Sequence, residues 1–550
     1  MYVKEPDSGA GCIKCDTTDE GKESPYRLIH SDHSGTSTPE RGHMANLVQR
    51  KSTSCRSITK TISVTLLIIT SVLGLIFPPL DFLLWEKLNM RPGLPPFDWW
   101  ADPPDKVKMR VHVFNVTNHE RFLAGVDTKL DVNEVGPIVY LEKLTHSNFR
   151  FNDNDTLTYF ADRRLVFLPD DNHIDLNDTI IVPNLGVLGL LSYLYNENYF
   201  VRTAIKLLIR QQGSSLFVRK TIYEYLWDFR EPVVDLSGRL APGLLPVTNL
   251  GILNVIYFDF ADEVTVKIGP RWGHKNFFRI DKVRGVPQMA LYDPDACPDR
   301  LQNSTEGVMY PQYLTKQDVL LYLRKSVCKI MPLYFVEEAV MEGVPVYRYN
   351  LTENVFDRIT NGTDCYAGAP AHPLYPDGIS DASKCYHNFP LVASYPHFYT
   401  GSPPKDTYVT GLKPDRSKHS SYVYVEPKSG VPFESVARMQ CNLYINDMSG
   451  YGDRELNKFS KLVLPLSWIE YKQEGLPSHF VYTIYFMVVI LPPLAKVVFS
   501  LTLIVTSLAI LNKIFRKTIT RSMFKRRKAE DLEKNTIKVY EKEMFLQDSK

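Results

Sequence analysis

TISVTLLIITSVLGLIFPPLDFLL, running from Thr61 to Leu84, carries no charged side chain before Asp81. A bilayer core about 30 Å thick is crossed by roughly 20 such residues at about 1.5 Å each. The stretch therefore predicts a transmembrane helix over 61–82, with Pro78, Pro79 and Asp81 suited to its far interface. A cleaved signal peptide would lie near the start of the chain with an apolar run of roughly 7 to 15 residues. Here a long polar stretch comes first, so residues 1–60 are expected to be a largely disordered tail.

A second apolar run, Ile484 to Leu511, is longer than a span requires and is interrupted by Pro492, Pro493 and Lys496. Counting back about 20 residues from Lys513 puts one interface near Pro493, where Lys496 can snorkel to the headgroups. The second span is thus expected over 492–512, with Phe480 to Leu491 on or against the membrane. Lys513, Arg516, Lys517, Arg521, Lys525, Arg526, Arg527 and Lys528 follow it, forming a basic tail over 513–550, while Arg50, Lys51, Arg56 and Lys60 precede the first. Positive flanks face the cytosol, so both termini are expected there and residues 83–491 outside it.

The rest of the composition agrees. A mean hydropathy of -0.19 excludes a many-helix membrane protein, and a net charge of +2 recommends no nucleic-acid partner. Six N-x-[ST] sites begin at Asn115, Asn154, Asn177, Asn303, Asn350 and Asn361, all between the spans, as translocated glycosylation sites must be. Cys297, Cys328, Cys365, Cys385 and Cys441 share that oxidising side. Two bridges among five cysteines allow about 15 pairings, and spacing alone does not choose among them. Cys12 and Cys15 lack the second ligand pair of a structural zinc site, so no metal is expected. Cys55, close to the first span, is a candidate palmitoylation site.

Between the spans, Val107, Met109, Val111 and Val113 alternate with polar residues at the period of a half-buried strand. The pattern recurs at Val135–Leu141, Val423–Val425 and Met439–Ile445, near both ends of the segment, and predicts one mixed α+β domain. Residues 184–227 instead read as helical. Asn184 is a candidate cap before Leu185, Leu188 and Leu191, and Val201, Ala204, Ile205 and Leu208 repeat the helical spacing. On that second helix Arg202, Lys206 and Arg210 form a cationic stripe, a candidate anionic-ligand site despite the like-charge cost of such spacing. No nucleophile elbow, zinc helix, phosphate loop or dinucleotide turn is present, so neither catalytic residues nor a cofactor are expected and the chain does not read as an enzyme. A two-span ion channel would need polar pore-lining residues that neither span offers.

Six motifs in order carry a resemblance: Gly136-Pro137-x-x-Tyr140, Tyr225 to Pro232 (YLWDFREP), Gly343 to Tyr349 (GVPVYRY), Ser394 to Phe398 (SYPHF), Val425-Glu426-Pro427-x-x-Gly430, and Pro465 to Glu470 (PLSWIE). Set between two terminal spans, they resemble the class B scavenger receptor family over nearly all of Pro78–Leu511. The resemblance implies an irregular antiparallel β-barrel ectodomain crossed by a hydrophobic tunnel, with 184–227 contributing an apical helical cap. It implies a receptor at the plasma membrane or in endosomes and lysosomes. Its partners would be lipids, fatty acids, sterols, lipoprotein particles, anionic phospholipid or microbial surfaces. It also pairs Cys328 with Cys385 and Cys297 with Cys365, leaving Cys441 as a thiol. A relative that escorts a protein partner through the endosomal system is the alternative.

The chain departs from the family where ligands are chosen. Gln211 and Gly213 stand where some lipid-binding members have a lysine pair, and the family's additional short-range disulfide is missing. The N-terminal tail is longer than in most members and holds Tyr26-Arg27-Leu28-Ile29, a tyrosine-x-x-bulky pattern that clathrin adaptors read.

Overall fold

The computed structural model describes residues 41–240, 248–257, 261–288, 301–358, 375–400 and 409–547. Chain contacts divide into two units, Met1–Ile68 and Ile69–Lys550. In the first unit the described part is helical from Arg41 onward. The helix thus starts well before Thr61, inside the tail expected to be disordered. Between Gly42 and Gly74 no glycine or proline interrupts it, and helix propagation needs no more than that once a turn exists.

This helix, Arg41–Ile76, stops before Pro78, because the residue preceding a proline is driven out of the helical region. A second helix, Pro79–Lys87, starts with its proline in the first turn and buries Leu80 and Leu84. The expected first span is therefore helical to Ile76 and bent away beyond it. At the other end, Ser478–Tyr485, a π turn at Phe486–Ile490 and Leu491–Gln547 follow one another without a break. The π turn lies just before Pro492 and Pro493, whose missing N–H groups a regular ladder would leave as gaps. Thr59–Ile76 and the helical stretch after Ser478 are long and apolar enough to cross a membrane. The two helices meet at Gly74, where an added Cβ would lie 2.4 Å from the Phe499 ring. A small residue is what lets the helices approach this closely.

The strands are β1 (Val107–Val116), β2 (Leu130–Asn152), β3 (Thr156–Phe167), β4 (Thr179–Pro183), β5 (Phe217–Thr221) and β6 (Asp262–Lys267). They continue with β7 (Ile280–Val283), β8 (Leu320–Arg324), β9 (Lys329–Met341), β10 (Val344–Leu351) and β11 (Ser380–Asp381). The last are β12 (Leu391–Ser394), β13 (Val409–Thr410), β14 (Tyr422–Val425), β15 (Pro432–Tyr444) and β16 (Val463–Gln473). One large sheet runs β7-β6-β3-β2-β1-β16-β15-β14-β10-β9-β8, antiparallel at every step. The predicted alternation in β1 holds: Met109, Val111 and Val113 are fully buried while Lys108, Arg110 and His112 are partly exposed. Val111 sits between Ile138 of β2 and Ile469 of β16, so three apolar residues share one rung. Beyond the outermost strands, Ile280 N donates to Ser304 O (2.8 Å), and Thr305 exchanges bonds with Leu321 and Leu323 of β8 (2.8 and 2.9 Å).

β4 and β5 form a separate ribbon from which the helical segment grows. Asn184 caps Leu185–Tyr193 by accepting from Val187 N (3.2 Å), and Asn198 caps Tyr199–Gln211 in the same way. Thr221 and Glu224 make a reciprocal capping box at Ile222–Trp227. Leu185–Tyr193 is buried on nearly every side and joins β1, β2 and β16 in the largest apolar core.

Candidate functional site

Strand alternation sends one set of side chains to the interior, and near the start of β1 these leave a cavity of about 260 Å³. Part of its wall is apolar. Leu144, Val308, Met309 and Leu333 contribute, with Trp99, Leu476 and Phe480 from the segments that follow the first long helix and precede the last. Trp99 and Phe480 stack face to face with ring centroids 3.9 Å apart.

The remaining wall is charged and tied together. Arg163 Nε lies 3.2 Å from Glu142, which also accepts from the Tyr257 hydroxyl (3.1 Å). Glu306 accepts from the Tyr159 hydroxyl (2.6 Å) and lies 3.7 Å from Lys325, which also pairs with Asp262 (2.7 Å). Burial alone would push the Glu306 carboxyl up, but Lys325, Arg163 and the Tyr159 hydroxyl together hold it below its ordinary value. Arg324 lies with its guanidinium 4.1 Å from the centre of the Tyr471 ring. None of these residues was singled out from the sequence. The only trace there is Arg324 ending the apolar run Leu320–Leu323, since the partners arrive from segments far apart in the chain.

The predicted cationic stripe lies on Tyr199–Gln211, but much of it turns toward Ser449–Asn457. Lys206 Nζ donates to Tyr451 O (2.7 Å) and lies 3.8 Å from Asp453; Arg202 donates to Tyr195 O (3.2 Å) and abuts Gly450. Arg210, 3.9 Å from Asp453, is the outward member, its side chain 74% exposed. The exposed surface of this helix is also aromatic and apolar, with Phe200 at 81%, Tyr199 at 67% and Leu207 at 66%.

Cys328 and Cys385 form a disulfide with Cα atoms 5.9 Å apart. Cys441, on β15, is a free thiol that burial pushes up to about 12, so it stays protonated. Asn154, Asn177 and Asn303 are exposed; Asn115 and Asn350 are partly so, with the Asn115 carbonyl accepting from Ile181 N (2.8 Å). Tyr26, Ile29, Cys297, Asn361 and Cys365 lie outside the described residues, as does the Cys55 side chain.

A sequence model described as the CD36 family matches residues 61–517. Scavenger receptor class B member 1 of Mus musculus is 30% identical over 389 residues, covering 70% of this chain and 74% of that protein. Its namesake in Bos taurus is 28% identical over 411 residues, covering 74% and 78%. Lysosome membrane protein 2 of Homo sapiens is 25% identical over 429 residues, covering 76% and 85%.

Proposed function

The chain belongs to the CD36 family, and from that membership we propose a class B scavenger-type receptor that captures lipid or lipoprotein cargo and passes lipid toward the membrane through its interior. The observation that supports the reading is the largely apolar cavity whose wall includes Trp99 and Phe480, on the segments that follow the first long apolar helix and precede the last. Moving an acyl chain between such surfaces avoids the cost of exposing it to water. Capture is assigned to the helix Tyr199–Gln211, where Phe200, Tyr199 and Leu207 beside Arg210 offer an apolar face with a cation, suited to an anionic lipid surface. The large sheet would close into a barrel through Ser304 and Thr305, whose bonds reach both outermost strands; the cavity would be part of a passage through it.

Both termini are placed in the cytosol and residues 83–491 outside, with glycans at the six asparagines and a second bridge from Cys297 to Cys365. Tyr26 and Ile29 would bring clathrin adaptors, Cys55 would carry a palmitoyl group, and the receptor would move between plasma membrane and endosomes. The test is cellular: expression should raise transfer of a labelled lipid from anionic vesicles or lipoprotein, and unchanged transfer would overturn the reading. A protein cargo is the second reading, favoured by the same exposed aromatics. It predicts that Phe200→Ser and Leu207→Ser abolish capture of a protein partner while lipid transfer persists.

A further inference from the structure

The helix Leu491–Gln547 does not stop where the second apolar stretch does. From Leu494 to Gln547 it contains neither glycine nor proline, the usual causes of a kink. Lys513, Arg516, Lys517, Arg521, Lys525, Arg526, Arg527 and Lys528 follow the apolar stretch, with no acid before Glu530. Every residue from Leu511 to Val539 is exposed, large apolar ones included: Phe515 at 66%, Ile519 at 42%, Met523 at 57% and Phe524 at 70%. Phe515, Ile519 and Met523 recur at i, i+4 and i+8 and share one face. Phe524 lies about half a turn from Phe515, on the opposite side.

A basic helix with exposed apolar residues suits an anionic bilayer or an acidic protein. Geometry separates the two. An unkinked helix tilted by up to about 40° carries Lys525 roughly 14–18 Å beyond Lys513. Surface charge is screened over about 8 Å, so the bilayer does not reach the cations from Lys525 to Lys528. Nor can a flat surface cover Phe515 and Phe524 together, since they leave the helix on opposite sides.

We propose that residues 511–528 are the docking segment for an acidic protein that encloses the helix, of the Ca²⁺-opened EF-hand class. Helix pairs of that class sit on carboxylate-rich loops and open an apolar, Met-rich groove when Ca²⁺ binds. One groove takes Phe515 with Ile519, and a second takes Phe524 about 14 Å further along the axis. The acidic rims meet the basic residues between and beyond them. The partner's access rests on the C-terminal end facing the cytosol, as proposed above.

The test uses the full-length chain in phosphatidylcholine nanodiscs, one chain per disc, with calmodulin as the probe and fluorescence anisotropy as the readout. A disc leaves both faces open, so the result reads the helix and not its orientation in cells. Calmodulin should bind with Ca²⁺ and about 100-fold more weakly in a Ca²⁺ chelator, which closes its grooves. Phe515→Gln and Phe524→Gln should each weaken binding by about 10-fold or more, the effect of one anchor left unburied. Ile537→Gln, exposed on the same helix but beyond the acids, should leave binding unchanged. All three positions face solvent, so none of the variants disturbs the fold. No binding with Ca²⁺, or binding that ignores the chelator or the two phenylalanines, overturns the proposal. Loss of binding in discs rich in phosphatidylserine assigns the segment to the bilayer and overturns it as well. Loss in discs that hold two chains assigns the segment to a second copy, with the same result.

Discussion

The indole of Trp99 lies flat on the ring of Phe480, 3.9 Å between centroids and 16° from parallel. One ring belongs to the helix Pro95–Ala101 and the other to Ser478–Tyr485, so the stack joins the segment after the first long apolar helix to the one before the last at the cavity wall. Aromatic pairs contribute roughly 0.5–1.5 kcal/mol beyond area burial.

Trp99→Ala should therefore speed release of a bound fluorescent fatty acid by about 2- to 10-fold, while Trp99→Phe stays close to wild type. Stopped-flow release from the full chain measures this. Phe480→Ala, at a buried site, should also destabilise by about 3–5 kcal/mol.

Members of the cationic stripe should separate by partner. Lys206→Glu sets a carboxylate against Asp453 and leaves Tyr451 O without its donor, with an expected loss of about 1–3 kcal/mol. Arg210→Glu lies at an exposed position and should change stability by less than about 0.5 kcal/mol while weakening capture of anionic vesicles. Thermal melting paired with vesicle binding at two salt concentrations distinguishes the two roles.

Gly74→Leu should force apart the helices that meet at Phe499. The expected outcome is a lower melting temperature for the full chain in detergent, with recovery in the Gly74→Leu, Phe499→Ala double variant. Absence of rescue would mean that the two positions do not touch.

Acid should destabilise the fold through two histidines. His146 donates from Nδ1 to Trp100 O (2.6 Å) and is pushed down to about 4, chiefly by burial. Burial, with the neighbouring His397, lowers His419 to about 4 as well. With unfolded values near 6.5, the unfolded chain binds more protons between those limits, so stability falls as pH drops from about 6.5 toward 4. Each imidazole accounts for on the order of 1–2 kcal/mol by about pH 5. Melting temperatures at pH 7 and pH 5 check the sign, and His146→Gln should flatten the difference.

Much of the architecture was legible in residues near one another. Thr61–Ile76 announced a long apolar helix by the absence of charge, and Val107–Val113 announced a strand by alternation. Asn184 and the leucines after it announced a capped helix. The interior of the sheet was not legible, because a charged residue in a strand is ordinarily read as facing water. Arg163 pairs with Glu142 on the neighbouring strand, Arg324 lies against the Tyr471 ring from far along the chain, and Glu306, outside any strand, is met by Tyr159 and Lys325. The stripe Arg202–Lys206–Arg210 looked outward for the matching reason: Tyr451 and Asp453 lie more than two hundred residues later.

Mass spectrometry of the full-length chain, purified from cells with no lipid added, bears most directly on the central claim that the interior carries lipid. The account predicts a near-stoichiometric single-chain amphiphile released on denaturation and lost when Val308→Trp fills the cavity. A chain that emerges lipid-free, or retains its lipid unchanged in the filled variant, would contradict it.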